Sequence, residues 1–296
     1  MKLINASYEI RSGYPIRKPD MDNHFYHNVL LTHIYKEIEY AGRVCYHSTD
    51  KIEPESAERF VDKLIKSKHY APLEFGIIYL KMPGGGIVPE MAEHNYHDYQ
   101  NNKFSKCTFG TSTEGPIPIV DAYISTNLRV LVENNWLDDL KYLCYPTEYH
   151  EKRVTVHFTC DRGVANEFVR HRMFSFAQES TRYCNYSKDK FNNELTFIKP
   201  CWDIEDSDTP EAFGFVSILE EIEDCYLSLL EQGWKPEQAR NVLPLALKTE
   251  LMMSGFISDW RHFCDLRALD TTGKAHPQAK ELALPLYSEF KERNLL

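Results

Sequence analysis

Between Arg153 and Tyr183 the chain changes periodicity twice and then sets cations among aromatic residues. Arg153 to Cys160 alternates, with Val154, Val156 and Phe158 on one side and Arg153, Thr155 and His157 on the other, the pattern of a half-buried strand. Asp161 then offers an N-cap. Val164, Ala165, Phe168 and Val169 recur at helical spacing, which predicts a short helix from Asp161 to about Arg172. Its last turn would carry Arg170-His171-Arg172, and because successive helical residues are about 100° apart, the two arginines would point different ways. Beyond them, Gln178, Ser180 and Arg182 occupy alternate positions and share a side if that stretch is extended.

Such a triplet, standing alone, would only complement the helix macrodipole. Here Phe168, Met173, Phe174 and Phe176 surround it, and charge placed among hydrophobes must be paired or liganded. Arginine suits an anionic ligand because its planar fork donates bidentately and stays charged. The net charge of -10 disfavours a general nucleic-acid binder, whose affinity rests on a basic surface. Clustered arginines in an acidic chain point instead to a small anion in a pocket.

No apolar run approaches the roughly 18 residues of a membrane helix, and the polar residues after Met1-Lys2-Leu3-Ile4-Asn5 give no secretory signal. Eight scattered cysteines form no Cys-x-x-Cys pair, which fits a reduced, cytoplasmic protein. The pattern predicts an amphipathic helix over Pro54–Lys68, a strand over Phe75–Met82 broken by Pro83-Gly84-Gly85-Gly86, and a long loop from Glu93 to Cys107. A strand over Asp121–Ile124 leads to a helix starting near Ser125, and Asn185–Pro210 reads as largely irregular. Helices follow over Glu211–Glu231, from Pro236 to an interruption at Pro244, from Ser258 to about Arg267, and from Pro277 onward. Few strands without βαβ alternation predict an α+β fold, a mixed or antiparallel sheet flanked by helices.

The segment Arg170-His171-Arg172, seven further residues, Ser180 and then Arg182-Tyr183 resembles the defining motif of the flavin-dependent thymidylate synthases. The likeness runs through much of the chain in the family's order: Ala41-Gly42-Arg43-Val44-Cys45-Tyr46, His69-Tyr70-Ala71-Pro72-Leu73-Glu74, the strand-to-helix step Tyr123 to Arg129, Ala239-Arg240-Asn241-Val242-Leu243-Pro244, and Asp265-Leu266-Arg267 followed by His276-Pro277-Gln278. It implies that family's fold over residues 1–296 as one domain, with an insertion around 84–151. It implies methylation of dUMP to dTMP, with methylenetetrahydrofolate as carbon donor and NADPH as reductant through bound FAD, in a homotetramer whose sites are shared between subunits. Carried over by position, Glu167, Arg170, Gln178, Ser180, Arg182, Arg240 and Arg267 would contact dUMP. Glu74, Arg170, His171, Arg172, Gln178 and His262 would contact FAD. Arg267 would be the catalytic residue, polarising the uracil ring.

The chain departs from the family pattern in places. Ala177-Gln178 stands where many members have Asn-Glu, Ala71 replaces a common hydroxyl residue, and Phe256-Ile257-Ser258 replaces flavin-facing Asn and Arg. Asp270 to Ala275 is inserted before His276. Pro200-Cys201 invites comparison with the cysteine-nucleophile synthases, but their other motifs are missing and a buried or loop thiol is the default. His94-Asn95-Tyr96-His97 lacks metal-ligand spacing, so no metal is expected. A protein that holds a nucleotide without chemistry is the alternative; flavin colour separates the two.

Overall fold

The computed structural model describes residues 1–11, 23–83, 96–112, 119–202 and 210–296. The strands are β1 (Lys2–Ile4), β2 (Ser7–Arg11), β3 (Ile77–Met82), β4 (Lys106–Ser112), β5 (Ile119–Asn127), β6 (Arg153–Asp161), β7 (Ser175–Gln178), β8 (Thr196–Ile198) and β9 (Lys248–Phe256). The helices are α1 (Asn23–Val44), α2 (Ser56–Lys66), α3 (Tyr96–Gln100), α4 (Leu128–Asn134), α5 (Arg162–Phe168), α6 (Pro210–Glu231), α7 (Pro236–Ala239), α8 (Ile257–Arg267) and α9 (Pro277–Glu292). Among the described residues no helix is long and apolar enough to cross a membrane.

Three sheets form among these strands. The central one has the order β2-β6-β9-β7 and is antiparallel throughout, with Val156 opposite Met253 and Ala177 opposite Met252. A second sheet, β3-β5-β4, is also antiparallel, and a short parallel pair joins β1 to β8. The architecture is α+β, as the element pattern predicts.

Alternation in β6 decides how the central sheet is covered. Val154, Val156 and Phe158 enter a core with Phe168 of α5, Trp260 and Phe263 of α8, and Leu282, Leu286 and Phe290 of α9. Phe158 and Phe168 meet edge to face at 5.0 Å, and the Trp260 indole N–H donates to the Val154 carbonyl at 3.0 Å, so this large ring is buried without a stranded donor. On the opposite face, Ala41 and Val44 at the end of α1 pack with Phe75, Ala177 and Met252. Gly255 permits a close approach: a Cβ there would stand 2.4 Å from the Phe174 ring, so the segment after the triplet rests directly on β9.

Several expectations need correction. The helix after Asp161 ends at Phe168, not near Arg172, because Arg170 and His171 bond back three residues rather than four. The strand expected to stop at Ile124 continues to Asn127, paired with Ile77, and Asn127 rather than Ser125 caps the next helix. Within the expected Glu93–Cys107 loop, Tyr96–Gln100 is helical and β4 begins at Lys106; Glu93 to Asn95 lies outside the described residues, as do Gly84 to Gly86. Asn185–Pro210 contains the strand β8. Cys201 is exposed, and burial followed by the charges of Glu281 and Asp161 pushes its thiol up, the wrong direction for a nucleophile. His94 lies outside the described residues, which contain no metal-holding cluster.

Candidate active site

Asp161 starts the site. One carboxylate oxygen accepts the Val164 amide at 2.8 Å and caps α5, while the other accepts the Gln278 side-chain amide at 3.1 Å, tying α9 to the same turn. Burial pushes the Asp161 carboxyl up, against the capping amides that favour its charge. The helix so fixed delivers Glu167 and then the triplet, which lies on the tight turn following α5. Arg170 and Arg172 are exposed and have no carboxylate partner among the described residues, whereas His171 is half-buried against Phe263, ring centroids 5.0 Å apart.

Arg267, the last residue of α8, closes on this turn. Its Nε donates to His171 Nε2 at 3.2 Å, its Nη1 to the Glu167 carboxylate at 2.5 Å and its Nη2 to the Glu167 carbonyl at 3.2 Å. Burial, reinforced by Arg267 and His262, pushes the His171 pKa down to about 4. The ring is therefore neutral at neutral pH, and accepting from Arg267 places its proton on Nδ1. His262, exposed on α8, lies with its ring 6.3 Å from that of His171.

A second group of residues surrounds a cleft of about 200 Å³. Its walls come from Gly42, Cys45 and Tyr46 around the end of α1, Phe60 and Leu64 of α2, His69, Ala71 and Pro72 before β3, and, far along the chain, Phe176, Gln178, Ser180 and Tyr183 around β7. Gly42 lets the Phe60 ring of α2 pack directly on α1 beside the cleft, since a Cβ there would stand 2.7 Å from that ring. The Gln178 amide donates to Thr249 Oγ1 at 3.3 Å, and the Ser180 amide to the Cys45 carbonyl at 3.0 Å, which binds the motif segment to α1. Tyr46 and Tyr183 flank the cleft with ring centroids 5.2 Å apart.

Ser180 ends the extended stretch: Tyr183 bonds back to it, so Arg182 sits on a turn rather than on the alternation expected from spacing. The Arg182 guanidinium reaches Glu237 of α7 at 3.1 Å, and Arg240 stands exposed at the end of that helix. The structure thus brings Glu167, His171, His262 and Arg267 together, and gathers Gln178 and Ser180 at the cleft with Arg182 linked to α7. Glu74 is set apart: it is buried, and its carboxylate receives Arg129 Nη1 at 2.5 Å. Sequence reasoning missed Glu237, Glu179 and Lys248. The Glu237 to Arg240 spacing on a short helix was a usable signal for the first; the other two meet only through the fold.

A sequence model of the family described as thymidylate synthase complementing protein matches residues 145–293, half of the chain. A probable flavin-dependent thymidylate synthase of Paramecium bursaria Chlorella virus 1 is 31% identical over 135 residues, covering 42% of this chain and 60% of that one. A flavin-dependent thymidylate synthase of Synechocystis sp. is 31% identical over 137 residues, covering 44% and 62%. The chain therefore spans under two thirds of the length of these curated relatives. The crystal structure of a UMP/dUMP methylase, PolB from Streptomyces cacaoi bound with 5-Br dUMP, aligns with a TM-score of 0.40 at 16% identity over 99% of this chain and 91% of that chain, a likeness too distant to carry an argument. The family match takes in the triplet, Ser180, Arg182, Arg240 and Arg267, and on it this chain belongs to the thymidylate synthase complementing protein family.

Proposed function

We propose that this protein is a flavin-dependent thymidylate synthase, a methyltransferase that converts dUMP to dTMP with methylenetetrahydrofolate as carbon donor, NADPH as reductant and FAD as cofactor. The observation that carries the reading is the convergence of residues 42–46, 69–72 and 176–183 on one cleft, beside the family motif. Membership of the family and the names of the curated relatives support it.

The donor set suits a flavin dinucleotide. Arg170 and Arg172 are exposed cations free of carboxylate partners among the described residues, apt for an anionic diphosphate, and His171, His262 and Gln178 add hydrogen-bonding groups. The cofactor, when bound, supplies the redox chemistry of the reaction. The rest falls to the chain's own side chains. Ser180 and Arg182 hold the dUMP phosphate, assisted by Arg240 and Arg170, with Arg182 exchanging its exposed pair with Glu237 for the ligand. Gln178 hydrogen-bonds from the cleft wall. Arg267, oriented by Glu167 and the neutral His171, stabilises negative charge that builds on the uracil ring as C5 becomes nucleophilic, and being held in advance it needs little reorganisation.

We further place residues 84–151 as an insertion in a single domain, the assembly as a homotetramer with shared sites, and the protein in the cytoplasm, where eight free thiols are maintained. Incubating the purified protein with dUMP, methylenetetrahydrofolate, NADPH and FAD tests the function. Formation of dTMP that requires all four supports it; binding of dUMP with no dTMP formed points to a nucleotide-holding protein instead.

A further inference from the structure

Behind the cleft a ladder of buried charges runs along the polar face of the central sheet. Glu179 lies between Gln178 and Ser180, yet its side chain turns away from the cleft and is 1% exposed. One carboxylate oxygen takes Lys248 Nζ at 3.0 Å and the other the Tyr186 hydroxyl at 2.8 Å, while His47 Nδ1 stands 3.7 Å away. Lys248 Nζ also meets Glu250 at 2.5 Å, and the far oxygen of Glu250 lies 2.6 Å from His157 Nε2. Lys248 and Glu250 are alternate residues of β9 and so share a face.

All three charges persist despite their surroundings. Burial opposes each of them, but pairing outweighs it: the Glu250 carboxyl is held down at about 2, that of Glu179 also lies below its ordinary value, and the Lys248 ammonium lies above its own. A buried ion pair adds little net stability over apolar residues of the same shape; what it can add is a single permitted arrangement.

The backbone shows where that matters. The Glu179 amide makes the last bond to β9, donating to the Glu250 carbonyl at 2.8 Å, and the next residue, Ser180, bonds instead to Cys45 at the end of α1. One residue therefore sets where the strand ends and where the turn bearing Ser180 and Arg182 begins. A slip of one residue would turn Gln178 and Ser180 inward and Glu179 toward the cleft.

We propose that Glu179, clamped by Lys248 and Tyr186, is a positioning residue that fixes this crossing so that Gln178 and Ser180 face the nucleotide. The inference rests on the dUMP site proposed above and assigns no contact with ligand to Glu179 itself. Calorimetric titration with dUMP tests it on the full-length wild type, on Tyr186→Phe, and on Glu179→Gln combined with Lys248→Met, which removes both charges together. FAD content and circular dichroism are recorded for each.

Positioning predicts that dUMP Kd rises about tenfold or more in the double variant and by a smaller but measurable factor in Tyr186→Phe, with FAD content and circular dichroism unchanged. A Kd within about twofold of wild type in both variants overturns the inference and leaves the function standing. Should the double substitution unfold the protein, Tyr186→Phe decides, and an unchanged Kd there overturns it. Failure of the wild type to bind dUMP overturns the proposed function, and this inference with it.

Discussion

The Arg267 guanidinium donates to the unprotonated Nε2 of His171 at 3.2 Å while its other nitrogens grip Glu167. A histidine from the signature triplet thus helps to aim an arginine that lies 96 residues away in sequence. If that aim serves to stabilise charge on the uracil ring, Arg267→Ala should fold normally and lose about 10² or more in turnover, the scale of a single preorganised donor. Steady-state dTMP formation beside a circular dichroism spectrum checks this; near-normal turnover removes the assigned role.

The same contact predicts a pH dependence. His171 protonates in the unfolded chain near its ordinary 6.5 but in the folded protein only at about 4. Within that window the unfolded state binds the additional proton, so stability rises with pH from about 4 to about 6.5 and is lost as pH falls. Protonation would also replace an acceptor by a donor facing Arg267. Thermal unfolding across this range should give a steeper dependence of Tm on pH for wild type than for His171→Gln. Equal slopes would remove His171 as the source.

Arg182 and Glu237 form an exposed pair, 3.1 Å apart. Exposed pairs contribute about 1 kcal/mol or less, so Arg182→Ala should barely change Tm. Losing a charged contact to the dUMP phosphate should weaken binding by about 1.5–3 kcal/mol. Titration with dUMP measures it, and unchanged affinity rejects the phosphate assignment.

Asp161 caps α5 and accepts from Gln278 of α9. Asp161→Ala should cost about 1–2 kcal/mol of folding stability through the lost cap, measured by urea unfolding. A change indistinguishable from zero would show that the cap does not hold the turn that precedes the triplet.

Local patterns made part of this structure legible. Val154, Val156 and Phe158 announce β6 by period, Asp161 announces α5 as a cap, and Pro277 opens α9. The triplet carries no glycine or proline stop, so nothing local in the sequence marks its departure from the helix, which rests on the turn bonds of Arg170 and His171. Ser125 has a capping hydroxyl, but pairing of β5 with β3 carries the strand past it, a tertiary contact outweighing a local preference. The central strand β9 escaped notice because Leu251-Met252-Met253 lacks the β-branched residues that advertise strands. At the site, the motif residues were readable one by one. Their partners were not: Glu179 and Lys248 are 69 residues apart, and only the register of β7 against β9 brings them together.

The visible absorption spectrum of the purified protein, recorded before and after NADPH and again after dUMP with methylenetetrahydrofolate, is the decisive measurement of flavin-dependent methylation. A flavin-dependent synthase should be yellow, or take up added FAD, and its flavin colour should be bleached by NADPH and restored by the two substrates. A protein that stays colourless and takes up no FAD contradicts that assignment.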